Sequence, residues 1–298
     1  MNVEFDALLR NQTWVLVPPS TAKNIIGCKW VFRLKRKADR SIDRYKSRLV
    51  AKGFHQQPGI DFGETYSPVI KPTTVRIVLS IAISAGWLIH QIDIQNAFLH
   101  GNLSEEVYMS QPPGFVHLQF PSHLCKLQKA LYGLKQAPMA CFSKLSNKLL
   151  SLGFCGSKSD TSLFIFKCKL YTMFVLIYVD DILITSSKPA AISELLENLH
   201  TEFAVKDLGK LNFFLGIEVI PSCRGVLLSQ RRYILDILKR TKMFEAKPAT
   251  SPMATSTTLS AFEGSLFSDP TLYRTTVGAL QYLCITRPDI SFNVNKLS

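Results

Sequence analysis

The stretch MFVLIYVDDILIT, residues 173–185, sets Asp180 and Asp181 side by side between two apolar runs. β-Branched and aromatic residues on both sides of a short polar centre predict a β-hairpin with the carboxylates at its tip. Neighbouring ionised carboxylates repel each other, and burying one without a partner costs several kcal/mol. Asp is favoured in hairpin turns, so the pair alone could be an ordinary polar turn. In so apolar a setting it has a second use. A divalent cation turns the repulsion into a favourable field, and Mg²⁺ takes oxygen ligands supplemented by waters and phosphates. Two such ions about 4 Å apart activate an attacking hydroxyl and neutralise the leaving group of an in-line displacement. That chemistry needs at least one more carboxylate from a neighbouring strand.

Asp93, in HQIDIQNAFLHG, is the best-placed supplier, flanked by Ile92 and Ile94 where apolar alternation gives way to a turn. Taken singly, it could equally be a helix cap or an Asx-turn residue. The charge of the chain favours the first reading. Its 298 residues carry a formal net charge of +13, which calls for a polyanionic partner, nucleic acid first and an anionic membrane surface second. Residues 29–52 alone hold ten basic and two acidic side chains, more than solubility needs. A hydrophobic content of 47% excludes wholesale disorder. The seven cysteines include no CxxC pair, so reduced thiols are expected rather than a disulfide framework. His117, His123 and Cys125 match no zinc spacing. MNVEFDALLR is no secretion signal. The apolar runs 75–89 and 173–184 are too short or too interrupted to span a bilayer, so a soluble intracellular protein without a membrane partner is expected.

Around the carboxylates the pattern is mixed. A short helix and the strand TWVLV fill residues 1–17, and a basic hairpin turns at KADRSID within 29–52. Residues 73–86 predict an apolar helix with a Thr cap and a Gly stop. The stretch DIQNAFLHGNLSEEVYMSQPPGF reads as turn-rich, and a helix from Pro138 to Leu152 ends at Gly153. A further helix covers PAAISELLENLHTEF; FFLGIEVI and GVLLSQ then form two strands. SQRRYILDILKRTK, 229–242, is an amphipathic basic helix capped by Ser229. Residues 246–271 read as a linker, and the helical pattern after them stops at Ser298 as if the chain continued. There is no internal repeat, and the order gives an α+β layout.

YVDDI at 178–182 resembles the metal-binding hairpin of reverse transcriptases, and a longer series narrows the likeness. In order, YKSRLVAKGFHQQPGIDFGETYSPVIKPTTVRIVLSIA, IDIQNAFLHGNLSEEVYMSQPPGF, LYGLKQAP, DLGKLNFFLGIEV, LSQRRYILDIL and YRTTVGALQYLCITRPDISFNVN resemble the reverse transcriptase region of copia-type LTR retrotransposon Pol polyproteins. The resemblance covers nearly the whole chain. It implies the right-hand polymerase fold of fingers, palm and thumb, with a ferredoxin-like palm sheet. Residues 1–28 would then be an N-terminal extension, 29–72 fingers, and 73–220 palm with fingers insertions. Residues 221–245 would hold the thumb helix, and 246–298 would lead toward an RNase H domain outside this chain. The implied activity is RNA-directed and DNA-directed DNA polymerisation, from dNTPs onto a primer 3′-OH, with two Mg²⁺ ions for which Mn²⁺ can substitute. The implied partners are an RNA template, a DNA primer and a polyprotein that also carries integrase and RNase H. The implied location is a cytoplasmic virus-like particle or the nucleus.

Carried onto this sequence, the resemblance makes Asp93 and Asp180 the metal bridge, with Asp181 beside them and the Ile94 carbonyl assisting. Phe98 would lie under the incoming sugar and leave no room for a 2′-OH. Lys35, Lys46 and Arg48 are the candidates for the triphosphate. Gly133, Lys135 and Gln136 in LYGLKQAP would meet the nascent base pair. Tyr178, Phe214, Leu215, Gly216, Arg231 and Arg232 would hold primer and template through backbone contacts that read no sequence. Departures are present: Met139, Ala140 and Cys141 stand where the family usually has Arg, Ala and Trp, and Arg40 stands where it usually has Gly. If the turn needs φ > 0 at Arg40, that residue costs about 1 kcal/mol or more. The departures motivate an alternative, a decayed non-catalytic remnant that still binds nucleic acid. A palm-like nucleotide cyclase is a third reading, but it would need neither the basic hairpin nor the basic helix.

Overall fold

The apolar alternation of residues 173–185 becomes two central strands of a six-stranded antiparallel sheet. The computed structural model describes residues 1–19, 22, 24–36, 41–222, 225–251, 253 and 267–298. They form two compact units, Met1–Lys210 and Leu211–Ser298, divided inside the stretch 73–220 that the sequence reads as one segment.

The first unit runs α1 (Asn2–Arg10), β1 (Trp14–Val17), β2 (Ile25–Ile26), β3 (Cys28–Arg36), β4 (Ile42–Ala51), α2 (Pro72–Ser84), β5 (Leu88–Ile94), β6 (Asn102–Met109) and β7 (Leu124–Lys129). It continues with α3 (Ala137–Ser151), β8 (Cys155–Gly156), β9 (Leu163–Lys167), β10 (Thr172–Tyr178), β11 (Asp181–Ser186), α4 (Pro189–His200) and β12 (Val205–Lys210). The large sheet has the order β12-β5-β11-β10-β9-β8. Alternate residues of its central strands, among them Ile92, Ile94, Val175, Ile177, Ile182 and Ile184, join Leu145 and Leu149 of α3 and Leu195 and Leu199 of α4 in one buried cluster. Burying each such side chain contributes about 1.5–3 kcal/mol. The opposite pleats are thereby left to carry the polar groups of the strand ends.

A second sheet, β1-β7-β6-β2, and the two-stranded ribbon β3-β4 surround a second cluster that includes Leu8, Leu49, Met109, Leu127 and Leu131. β2 and β6 pair in parallel at Ile25–Tyr108. The stretch read as turn-rich therefore contains strand β6, and β7, β9 and β12 are further strands that the sequence pattern did not give. α2 is capped at Lys71 with Pro72 at its first position, not by Thr. Proline has no N–H to leave unsatisfied there, and its fixed φ suits the helix start.

The second unit holds β13 (Phe213–Phe214), β14 (Ile217–Ser222), β15 (Gly225–Ser229), α5 (Arg231–Arg240), α6 (Pro270–Leu283) and α7 (Ser291–Leu297). FFLGIEVI is two strands rather than one, because Leu215 and Gly216 take φ of 50° and 70° and turn the chain between them. The cap of α5 is Gln230, with the Ser229 hydroxyl accepting from the Arg231 N–H at 3.3 Å. Most of the linker expected at 246–271 lies outside the described residues. Among the described residues no helix is long and apolar enough to cross a membrane.

Candidate active site

Pairing of β10 with β11 runs out to Tyr178–Asp181 and leaves Val179 and Asp180 as a two-residue loop. Such loops need φ > 0 at their first residue, and Val179 takes φ 57°. For a β-branched residue this is a strained conformation, worth on the order of 1–3 kcal/mol. On its other edge β11 pairs with β5, setting Asp181 directly opposite Asp93. The Ile94 N–H donates to the Asp180 carbonyl at 2.9 Å and fastens the loop to the same strand. Facing residues of an antiparallel pair share a sheet face. Asp93 and Asp181 therefore stand on the face opposite the buried Ile92, Ile94 and Ile182.

The three carboxylates act on one another. The Asp93 carboxyl lies above its ordinary range, raised by burial and by Asp180 and drawn back by Lys46, Lys206 and Arg48. Asp181 is pushed up to about 6 by burial, Asp180 and Asp93, against a hydrogen bond from Gln91. Lys206 is a site residue that the sequence reading missed: β12 pairs with the free edge of β5 and places Lys206 opposite Asp93. Tyr132 is another. The Arg48 guanidinium lies 4.4 Å from the centre of its ring, and Phe98 meets that ring edge-on at 4.7 Å. Burial pushes the Tyr132 phenol up to about 12.

The remaining expected site residues fall in three groups. Lys46 and Arg48 lie on β4, within electrostatic reach of Asp93. Lys35 pairs with Arg44 in the ribbon, but its side chain, like Arg40, lies outside the described residues. Gly133 takes φ 90° with its Cα against the Ala51 carbonyl, where an added Cβ would sit 2.1 Å from that oxygen. Gln136 is buried, 1% exposed, with both ends of its amide engaged. Its Nε2 donates to the Asp61 carbonyl at 2.8 Å, and its Oε1 accepts from Gln56 at 3.0 Å. The Lys135 ammonium donates to the Gln56 carbonyl and lies 4.4 Å from the centre of the Phe62 ring. Tyr178 is partly buried at the hairpin end, opposite Asp181. Phe214, Leu215, Gly216, Arg231 and Arg232 belong to the second unit. There Phe214 is buried, the Tyr282 hydroxyl donates to the Leu215 carbonyl, and Arg232 pairs with Glu218 at 3.1 Å. Cys141, one of the departures from the family pattern, packs in the core cluster with its thiol pushed up to about 12 by burial. A cavity of about 670 Å³ beside Phe5, Trp14 and Phe115 has none of the three aspartates in its lining.

Among the described residues no three His, Cys, Asp or Glu side chains converge as a ready-made metal cage. The donor set nevertheless suits Mg²⁺. It consists of oxygens alone, and one or two carboxylates with substrate phosphates complete such a site. Burial first, and then mutual repulsion, lifts the Asp93 and Asp181 carboxyls, and a bound cation would offset that cost.

With this geometry in hand, comparison with known proteins defines the class. The family model described as reverse transcriptase (RNA-dependent DNA polymerase) matches residues 11–255, and the chain belongs to that family. It is 54% identical to the retrovirus-related Pol polyprotein from transposon RE1 of Arabidopsis thaliana, over 100% of this chain and 20% of that protein. It is 51% identical to the corresponding polyprotein from transposon RE2 of the same plant, with the same coverage of each chain. It is 40% identical to the polyprotein from transposon TNT 1-94 of Nicotiana tabacum, over 100% of this chain and 23% of that one. The chain thus spans about a fifth of the length of these relatives.

Proposed function

We propose that this chain is the polymerase domain of a copia-type retrotransposon Pol polyprotein, copying RNA and DNA templates into DNA from dNTPs. The observation that carries this reading is the register Asp181–Asp93, with Asp180 tied to Ile94. Three carboxylates from separated segments thereby share one spot beside a basic ribbon. In this reading the large sheet is the palm, the β3-β4 ribbon belongs to the fingers within 29–72, and α5 lies in the thumb region.

Asp93 and Asp180 would hold two Mg²⁺ ions, with Asp181 and the Ile94 carbonyl adjacent. When bound, the ions lower the pKa of the primer hydroxyl and neutralise charge on the departing pyrophosphate. The chain's own side chains do the rest. Lys46 and Arg48 draw the triphosphate in, an arrangement that favours charge developing during transfer. Phe98, set edge-on against Tyr132, would close the space a 2′-OH needs. Gly133 permits the close approach of its loop to β4, and Gln136 and Lys135 would act by holding that loop. Tyr178 at the hairpin would position primer and template within the first unit, and in the second unit Phe214, Leu215, Gly216, Arg231 and Arg232 would make nucleic-acid contacts of their own, in each case to the backbone.

Primer extension by the purified chain, on an RNA template with a DNA primer and with Mg²⁺ or Mn²⁺, tests the reading. Extension should occur in the wild type and fall on the order of 10²-fold or more in Asp180→Asn. Salt-sensitive binding of primer–template with no extension in either protein would identify a decayed remnant instead.

A further inference from the structure

The loop that carries Tyr132 is tied to the end of β4 and to the segment after it. The Tyr132 carbonyl accepts from the N–H of Ala51, the last residue of β4, at 2.7 Å. Beyond β4, Gln56 is 4% exposed. Its Oε1 accepts from the Lys135 N–H at 2.9 Å, its Nε2 donates to Gln136 Oε1 at 3.0 Å, and its carbonyl accepts from the Lys135 ammonium at 3.3 Å. Gln136 passes the relay on, donating to the Asp61 carbonyl at 2.8 Å. This relay has one polarity. A backbone donor at Lys135 fixes the Gln56 oxygen at one end, and a backbone acceptor at Asp61 fixes the Gln136 nitrogen at the other. Flipping either amide would set oxygen against oxygen. The two segments also interlock through their backbones, since a Cβ on Gly53 would sit 2.0 Å from the Gly133 carbonyl oxygen.

What the relay joins matters for the site. β4 brings Arg48 and the loop brings Tyr132, and the guanidinium lies 4.4 Å from the centre of the ring. Phe98 meets the same ring edge-on at 4.7 Å. The position of that ring therefore bears both on the proposed sugar gate and on a proposed triphosphate contact. A buried polar relay with every partner satisfied specifies one arrangement of the segments it joins, where an apolar contact would let them slide.

We infer that Gln56 is a positioning residue for sugar selection: it fixes the Tyr132 loop against the end of β4, and so holds Phe98 and Arg48 at the spacing that admits a deoxynucleotide and rejects a ribonucleotide. Buried in the relay, it touches no reacting atom. The inference rests on the polymerase reading for the identity of the nucleotide.

The test measures, by calorimetry on the whole chain with primer–template, the Kd of a deoxynucleoside triphosphate and of its ribonucleotide counterpart. The primer ends in a dideoxynucleotide, so binding is read without transfer. The ratio of the two constants does not depend on how much of the protein is folded, which separates positioning from stability. Gln56→Met keeps the length of the side chain and removes the relay. It should lower the preference for the deoxynucleotide roughly three- to tenfold, because displacements of about 1 Å in a site are costly. In a Phe98→Ala background it should change the ratio no further. Gln56→Glu keeps an acceptor for the Lys135 N–H but sets an oxygen against Gln136 Oε1, and it should lower the ratio even where the Met variant fails to fold. Equal weakening of both nucleotides, an unchanged ratio in the folded variants, or a further loss in the Phe98→Ala background would overturn the inference. A wild type that binds the two nucleotides alike would do the same. A wild type that discriminates between them in binding, yet extends no hydroxyl-ended primer, would overturn the polymerase reading alone.

Discussion

Replacing Asp181 by Asn should stabilise the metal-free protein while removing a group the proposed chemistry needs. The Asp181 carboxyl is pushed from an ordinary 3.8 up to about 6, by burial first and then by Asp180 and Asp93. A rise of roughly two units at about 1.4 kcal/mol each gives a ceiling near 3 kcal/mol. Because Asp181 is only partly buried, solvent screening reduces the expected effect to about 1–2 kcal/mol. A raised pKa means that the ionised form is the disfavoured one in the folded state. The penalty is therefore fully present above about pH 6, and it fades toward the unfolded value of 3.8, where folded and unfolded chains are both protonated. Asn keeps an acceptor for Gln91 and has no charge to repel Asp93 or Asp180.

Urea unfolding in the presence of a chelator, followed by tryptophan fluorescence, measures the effect. Trp14, Trp30 and Trp87, all the tryptophans of the chain, lie in the unit that carries the aspartates. At about pH 7.5 Asp181→Asn should be the more stable protein, and its advantage should shrink by about pH 5. Added Mg²⁺ should then stabilise the wild type more than the variant, since binding to the folded state adds stability by mass action. A variant no more stable than the wild type at the higher pH, or an advantage that grows on acidification, would refute this account of the site.

Two further substitutions probe the walls of the site. Gly133→Ala should cost about 3 kcal/mol or more, read as loss of soluble protein or a large fall in urea midpoint. It adds a Cβ 2.1 Å from the Ala51 oxygen at a φ of 90°. Phe98→Ala should erode sugar selectivity, lowering the ratio of kcat/KM for deoxynucleotide over ribonucleotide by about tenfold or more; an unchanged ratio would remove Phe98 from the gate.

What was legible in the sequence was local. The hairpin at 173–185, α3 and α4 announce themselves through period and punctuation, and the need for a third carboxylate follows from the chemistry of the pair. What was not legible depends on pairing at a distance. β6 was missed because its first half, Asn102–Glu106, alternates exposed and half-buried residues with two adjacent acids, and only Val107–Met109 is fully buried. β12 is an edge strand interrupted by an irregularity between Asp207 and Gly209, so VKDLGK shows no clean alternation, and with it went Lys206. Tyr132 sits inside a segment singled out for its glycine and its polar residues. Its importance lies in the approach of Arg48 from β4, which no spacing within LYGLKQAP encodes. Gln136 is the converse case. A polar residue in a functional-looking loop is expected to reach outward, yet burial and the carbonyl of Asp61 turn it inward.

Two unfavourable features meet at Val179–Asp181. A β-branched residue sits at φ 57° beside carboxylates of which two have pKa values raised by burial and then by mutual repulsion. Such features persist only where the surroundings over-determine the conformation, and β11 meets that condition. It is hydrogen-bonded along both edges, to β10 and to β5. Ile182, Leu183 and Ile184, which follow the aspartates directly, are at most 1% exposed. Shifting β11 by one residue to relax Val179 would turn Ile182 and Ile184 out of the core and bring Asp181 toward it. The hydrophobic register thus holds the loop in its strained form and Asp181 opposite Asp93 at once. The turn itself contributes little to that outcome. Cys141 packs in the same core cluster as Ile182 and Ile184, on the face opposite Asp181, so its thiol bears on that register rather than on the turn.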